Sequence, residues 1–227
     1  MIYKLWRLRI VNMEIKEATR IVIIDDQTIL REVLAATLAQ NPNYRIIGQA
    51  GEGLKGVELC TELQPDLVLL DVMLPGLNGA EALSRILENC PRTKVLVVSG
   101  YDKPAPLHRL LKEGVNGIVH KNSALTCLME AVEKVLSGEA YYCPVMQPLI
   151  VTLLTDPTIK RETISRRERE VLQLLAEGHT AKEIAERLSL STKTVENHRQ
   201  NIMVKLGIHD VVGLTHYAIK SGLIAVR

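Results

Sequence analysis

The sequence predicts two folded units. The first is an α/β domain on a doubly wound, five-stranded parallel sheet; the second is a small all-α domain of four helices. Three observations lead there. From residue 20 to 137, short apolar runs alternate with amphipathic helical stretches, the pattern of a parallel sheet with helices on both faces. The run Leu67-Val68-Leu69-Leu70 is apolar throughout, as a strand buried on both faces must be. From Ile164 onward only helical periodicity remains, and the charge balance changes sign.

The chain has 227 residues, 47% hydrophobic and 24% charged, enough to bury the cores of two domains and too apolar for disorder. It has no Phe and one Trp, so those cores must be aliphatic. Residues 19–156 carry 12 Lys/Arg against 16 Asp/Glu, whereas residues 157–227 carry 12 against 8. An acidic body with a basic C-terminal piece points to separate partners for the two parts. Cys60, Cys90, Cys127 and Cys143 show no metal-ligand or redox spacing and read as thiols in a reducing cytosol. No apolar run reaches the roughly 18 residues of a membrane span. Lys4, Arg7 and Arg9 break up the apolar residues of 1–18, which therefore do not read as a secretory signal. The expectation is a cytoplasmic protein without a membrane partner, whose residues 1–18 form a frayed extension, with Met13 as an alternative start.

In order, strands are expected over residues 21–24, 45–50, 67–70, 94–98 and 117–120. Helices are expected over 29–39, 54–63, 80–87, 106–112 and 124–136. Pro42, Gly51, Gly53, Pro65, Pro91 and Gly114 punctuate the connections. Pro144, Pro148 and Pro157 then break the rhythm, with the apolar run 149–154 between the last two. The expected organisation is an extension (1–18), the sheet domain (19–140), a linker with room for a short docked segment (141–163) and the helical domain (164–227).

The chemistry gathers at the strand ends. A lone Asp71 after a strand is as well explained by a loop or helix cap. Here, though, strand one ends in Asp25-Asp26, strand three in Asp71, strand four in Ser99 and strand five in Lys121. In a doubly wound sheet these ends converge near the switch point, where ligands bind. Clustered carboxylates suit a hard divalent cation such as Mg²⁺. Such an ion would neutralise an incoming phosphoryl group and open phosphorus to an attacking carboxylate. The Lys121 ammonium and the Ser99 hydroxyl would serve other phosphoryl oxygens.

With these residues in place, the segment 20–137 resembles the receiver domain of two-component response regulators, a flavodoxin-like fold, over its whole length. The resemblance implies that Asp71 accepts the phosphoryl group. It makes Asp26, Asp71 and the backbone carbonyl of Met73 direct Mg²⁺ ligands, with Asp25 acting partly through water. Ser99 matches the switch hydroxyl and Lys121 the lysine of the family. Two positions depart from its usual pattern: Ile118 stands where an aromatic is common, and Asn122 follows the lysine where many receivers carry proline.

In the second unit, Ser165 with Glu168 and Thr180 with Glu183 have capping-box spacing. Ser191 starts a third helix, with Val195, Ile202, Met203 and Leu206 as its buried stripe. Asp210 starts a fourth, and Gly178, Gly207 and Gly222 are the stops. Two helices joined by a tight turn, the second longer and polar outside, describe a helix-turn-helix. On that outer face lie Lys193, Glu196, Asn197 and Gln200, residue types that read base edges in the major groove. Thr192, Thr194, Arg199 and Lys205 flank them, and with Lys182 on the preceding helix they are candidates for phosphates. A solvated charged face accounts for the same stripe. The runs at 167–172, 182–185 and 193–198 (REREVL, KEIA, KTVENH) resemble the LuxR-type helix-turn-helix. Together with the receiver they place the chain among regulators of the NarL/FixJ class. The resemblance implies base contacts at Glu196, Asn197 and Gln200, and backbone or thymine-methyl contacts at Thr194 and Val195.

The function expected is a transcription factor that binds double-stranded DNA, is phosphorylated at Asp71 by a histidine kinase or a small phosphodonor, and forms a homodimer when phosphorylated. One rival is a phosphorylation-independent factor with a passive dimerisation or ligand-sensing receiver. The other is a phosphohydrolase with an aspartyl-phosphate intermediate. Such enzymes carry Asp-x-Asp, whereas Asp25 and Asp26 are adjacent and Met73 lies two residues after Asp71, so no general acid is in view and no enzyme is expected.

Overall fold

The computed structural model describes residues 17–100, 104–155 and 164–225. The expected N-terminal extension, Met13 included, lies outside them up to residue 16, as does the stretch 156–163 of the expected linker.

The first unit runs β1 (Thr19–Ile24), α1 (Thr28–Leu38), β2 (Tyr44–Ala50), α2 (Gly53–Leu63), β3 (Leu67–Leu70), α3 (Gly79–Asn89), β4 (Lys94–Ser99), α4 (Pro104–Glu113), β5 (Gly117–His120) and α5 (Leu125–Ser137). The strands pair in parallel in the order β2-β1-β3-β4-β5, and residues 141–142 pair in parallel along the free edge of β5. The middle strands explain that order. All four residues of β3 are buried, as are residues 21–24 of β1 and 95–99 of β4, so these strands need helices on both faces.

Among the described residues the sheet has six strands, one more than expected. Residues 141–155, assigned above to the linker, supply β6 (Tyr141–Tyr142) and α6 (Gln147–Thr155). Tyr141 pairs with Gly117, where a side chain on the glycine would come within 2.8 Å of the Tyr141 carbonyl oxygen. A two-residue strand is too short for any periodicity to announce it. Met146, Ile150 and Leu153 bury the inner side of this segment in the receiver core, and α6 packs against α4.

The second unit comprises α7 (Arg166–Ala176), α8 (Ala181–Leu188), α9 (Thr192–Leu206) and α10 (Val211–Lys220). Its start signals act as the sequence indicates. Ser165 and Glu168, then Thr180 and Glu183, form reciprocal capping boxes; Ser191 and Asp210 cap α9 and α10. Val171, Leu172, Leu174, Ile184, Val195, Ile202, Leu214 and Ala218 form its own buried core.

Candidate phosphoryl-transfer site and nucleic-acid interface

The sheet register brings the acidic residues together. Ile24 pairs with both Ala50 and Leu70, so the residues just beyond β1 and β3 lie side by side. The Asp25 amide donates to the Ala50 carbonyl at 3.0 Å, and the Asp71 amide donates to the Ile24 carbonyl at 2.8 Å. Asp25, Asp26 and Asp71 each present a carboxylate oxygen within 4.8 Å of the other two. Asp25 and Asp71 are buried and Asp26 is half-buried. Met73 borders the same cavity as Asp26 and Asp71. Ser99, fully buried, ends β4 opposite His120, and its carbonyl accepts the Lys121 amide at 2.9 Å.

Lys121 ties the cluster. Its Nζ lies 2.8 Å from Asp25 Oδ2 and 2.8 Å from Asp71 Oδ2. The other Asp71 oxygen, Oδ1, accepts the Val72 amide at 2.7 Å. Burial pushes the Asp71 carboxyl up to about 6, against the opposing pull of Lys121. Burial alone would lower the Lys121 ammonium, but the two aspartates hold it above its usual value. At neutral pH the pocket therefore contains an ionised, oriented carboxylate beside a fixed cation.

The loop after Asp71 is held just as closely. The Asn78 side chain caps α3 by accepting the Ala80 and Glu81 amides. Helix α3 starts so near the acidic site that a Cβ on Gly79 would stand 2.2 Å from the Asp71 carbonyl oxygen, which leaves room only for glycine. Ile118, three residues before Lys121, is fully buried in β5 between Val97 and Tyr142.

Of the helix-turn-helix candidates, Lys182, Thr192, Lys193, Asn197 and Gln200 are exposed. Thr194, Glu196 and Arg199 are half-buried. Arg199 pairs with Glu196 at 2.8 Å, and Thr194 belongs to the Ser191 cap. Val195, expected at the backbone or a thymine methyl, is 1% exposed and packs in the helical core. Lys205, expected at a phosphate, is exposed and pairs with Glu168 Oε2 on α7 at 2.7 Å, which helps hold that carboxyl below its usual range.

What the sequence did not disclose is a polar seam between the two units. Glu81 on α3 accepts from Arg109 on α4 at 2.9 Å and from Arg169 on α7 at 2.6 Å. Arg166 joins Glu88 at 2.6 Å and Ser84 at 3.1 Å, and Arg85 pairs with Glu170. Gln173 accepts the Asn78 amide at 2.8 Å and donates to the Leu74 carbonyl at 2.9 Å. These contacts come from α7, whose apolar face was legible; for its charged face, Arg166 to Glu170, the sequence indicates no partner. Burial of Glu168, Arg169, Glu170 and Gln173 on one short helix is the sign of a second partner.

Comparison with known proteins agrees with both units. The response regulator receiver domain family matches residues 21–133, and the bacterial regulatory protein family of luxR type matches residues 162–218. The chain is 33% identical over 226 residues to the transcriptional regulatory protein DegU of Brevibacillus brevis, covering 92% of this chain and 96% of that one. A structure of RcsB from Salmonella enterica serovar Typhimurium, bound to a promoter with the phosphomimetic BeF3-, is 26% identical with a TM-score of 0.59, covering 91% of this chain and 100% of that one. Another, of two RcsB dimers bound to two parallel DNAs, is 26% identical with a TM-score of 0.57, covering 90% and 99%. Among the described residues no helix is long and apolar enough to cross a membrane.

Proposed function

Because the chain belongs to the response regulators that join a receiver to a LuxR-type DNA-binding domain, we propose that Asp71 is its phosphoacceptor, and that phosphoryl transfer from a histidine kinase makes it a switchable cytoplasmic transcription factor. The observation that carries this reading is the meeting of Asp25, Asp26, Asp71 and Lys121 at the strand ends. A passive receiver has no use for two buried carboxylates tied by one lysine beside a third carboxylate.

In the reaction, an Asp71 carboxylate oxygen attacks phosphorus, the bond to the donor's nitrogen or acyl oxygen breaks, and the leaving group keeps that electron pair. An acyl phosphate of aspartate results. Val72 holds one carboxylate oxygen in place, and Lys121 keeps the nucleophile ionised, then stands beside the new phosphoryl oxygens. Three close carboxylates and a neighbouring main-chain carbonyl are the hard oxygen donors Mg²⁺ selects. Asp26, Asp71 and the Met73 carbonyl would hold it directly and Asp25 through water; when bound, the ion neutralises phosphoryl charge. At a hundredfold excess over its Kd, Mg²⁺ should add about 2.7 kcal/mol of stability. Thermal melts check this, and Asp26→Asn should remove most of the gain.

The new dianion attracts the Ser99 hydroxyl and biases the surface of α4 and β5 toward dimerisation. Two α9 helices then face half-sites about one DNA turn apart. Asn197→Ala should cost about 1–3 kcal/mol of discrimination at one base pair. Lys182→Ala should instead weaken all sequences alike and lower the salt slope by about one. Binding titrations at several salt concentrations separate the two outcomes. Asp71→Asn tests the switch itself: label persisting on that variant would exclude the assignment.

A further inference from the structure

We propose that the docked output domain selects the phosphodonor by size: a small acyl phosphate reaches Asp71 through a cavity between the domains, whereas a phosphohistidine on a protein reaches it only after the domains part. This rests on Asp71 being the phosphoacceptor.

The cavity measures about 520 Å³. Asp26 and Asp71 line it from the receiver; Glu177, His179 and residues 223–225 line it from the output domain. Its size falls within the roughly 300–1,000 Å³ that holds a small molecule. Any phosphohistidine on a folded protein brings its own backbone, and even one helix is about 10–12 Å across with its side chains. Asp71 is only 3% exposed, so a protein donor must displace whatever stands at this mouth.

What stands there is bonded down. Gln173 is fully buried, and its side-chain amide is saturated. Its Oε1 accepts the Asn78 amide at 2.8 Å and Asn78 Nδ2 at 3.2 Å; its Nε2 donates to the Leu74 carbonyl at 2.9 Å and Glu177 Oε1 at 2.8 Å. Glu177 in turn accepts the Gly76 amide on both oxygens, each at 3.1 Å. Residues 74–78, directly after the metal-side carbonyl of Met73, are thus clasped by α7 and the residue that ends it. Parting exchanges these bonds for water, so the closed form gates the protein donor without sealing out the small one.

The test uses the full-length chain and Gln173→Ala, with labelling followed by intact mass. The donors are acetyl phosphate with Mg²⁺ and the phosphorylated soluble portion of a histidine kinase. That kinase is chosen from a panel as the one that labels Gln173→Ala fastest. Acetyl phosphate should label both chains at rates within about twofold, while the kinase should label Gln173→Ala about tenfold faster, an ordinary size for coupling between sites. Arg166→Ala breaks the seam at its far end, away from the phosphorylation loop, and should give the same contrast. Equal acceleration by both donors, acceleration by neither, selectivity confined to Gln173→Ala, or no kinase labelling of Gln173→Ala would each overturn the gate. Absence of acetyl phosphate labelling on every chain would instead remove the phosphoacceptor reading beneath it.

Discussion

Glu81→Ala is expected to destabilise the protein by about 3–5 kcal/mol, the usual result of breaking a buried ion pair from one side. Glu81 is 2% exposed and serves Arg109 of the receiver and Arg169 of the output domain through the same oxygen, Oε1. Removing it leaves two guanidinium groups close together without the charge that lies between them. Because Arg169 belongs to α7 and Arg109 to α4, the damage is not local. The seam should loosen, and chemical denaturation should show the two domains unfolding in separate steps where the native chain shows them coupled. Glu81→Gln keeps the size and one acceptor oxygen and should fall between the two. This network also links α4 to the output domain through Glu81 of α3, so a shift of α4 after phosphorylation would be felt at Arg169.

Asp71→Asn should change how stability depends on pH by as much as about 3 kcal/mol, the linkage value of a carboxyl raised from its usual value to about 6. The folded state binds this proton more tightly than the unfolded chain does. Between pH 4 and 6 the native protein therefore holds more protons, and the Asp71 contribution makes stability fall as pH rises. Above pH 6 that cost is fully present. In buffers free of divalent cations, native protein and variant should be nearly equal near pH 4, and the variant should gain relative to the native chain up to pH 6 and then hold level. Losing one of the two Lys121 partners reduces the gain without reversing its slope. Urea titrations at several pH values measure it. A gap independent of pH would show that Asp71 is not held in its raised state.

Much of this was legible in the sequence for physical reasons. Residues 67–70 are apolar throughout because both faces of β3 are covered, and Ser165, Thr180, Ser191 and Asp210 announce helix starts because orphan amides need acceptors. The strand-end residues were legible because a parallel sheet fixes where its strands finish. Three things were not. A two-residue β6 has no period. Val195 fits both a polar DNA-facing stripe and a core, and only packing against α7 and α8 decides. Residues such as Glu81, Arg169 and Gln173 are ordinary surface types; nothing local distinguishes a polar side chain that meets water from one that meets a second domain.

Phosphoryl uptake by Asp71 and the assembly that follows are tested together by incubation with acetyl phosphate and Mg²⁺, with intact mass and sedimentation velocity taken on the same sample. The expected result is one added phosphoryl group, absent from Asp71→Asn, and a shift from monomer toward dimer in the labelled fraction. A native chain that takes up no phosphoryl group from this donor, or an Asp71→Asn variant labelled to the same extent, would show that Asp71 is not the acceptor.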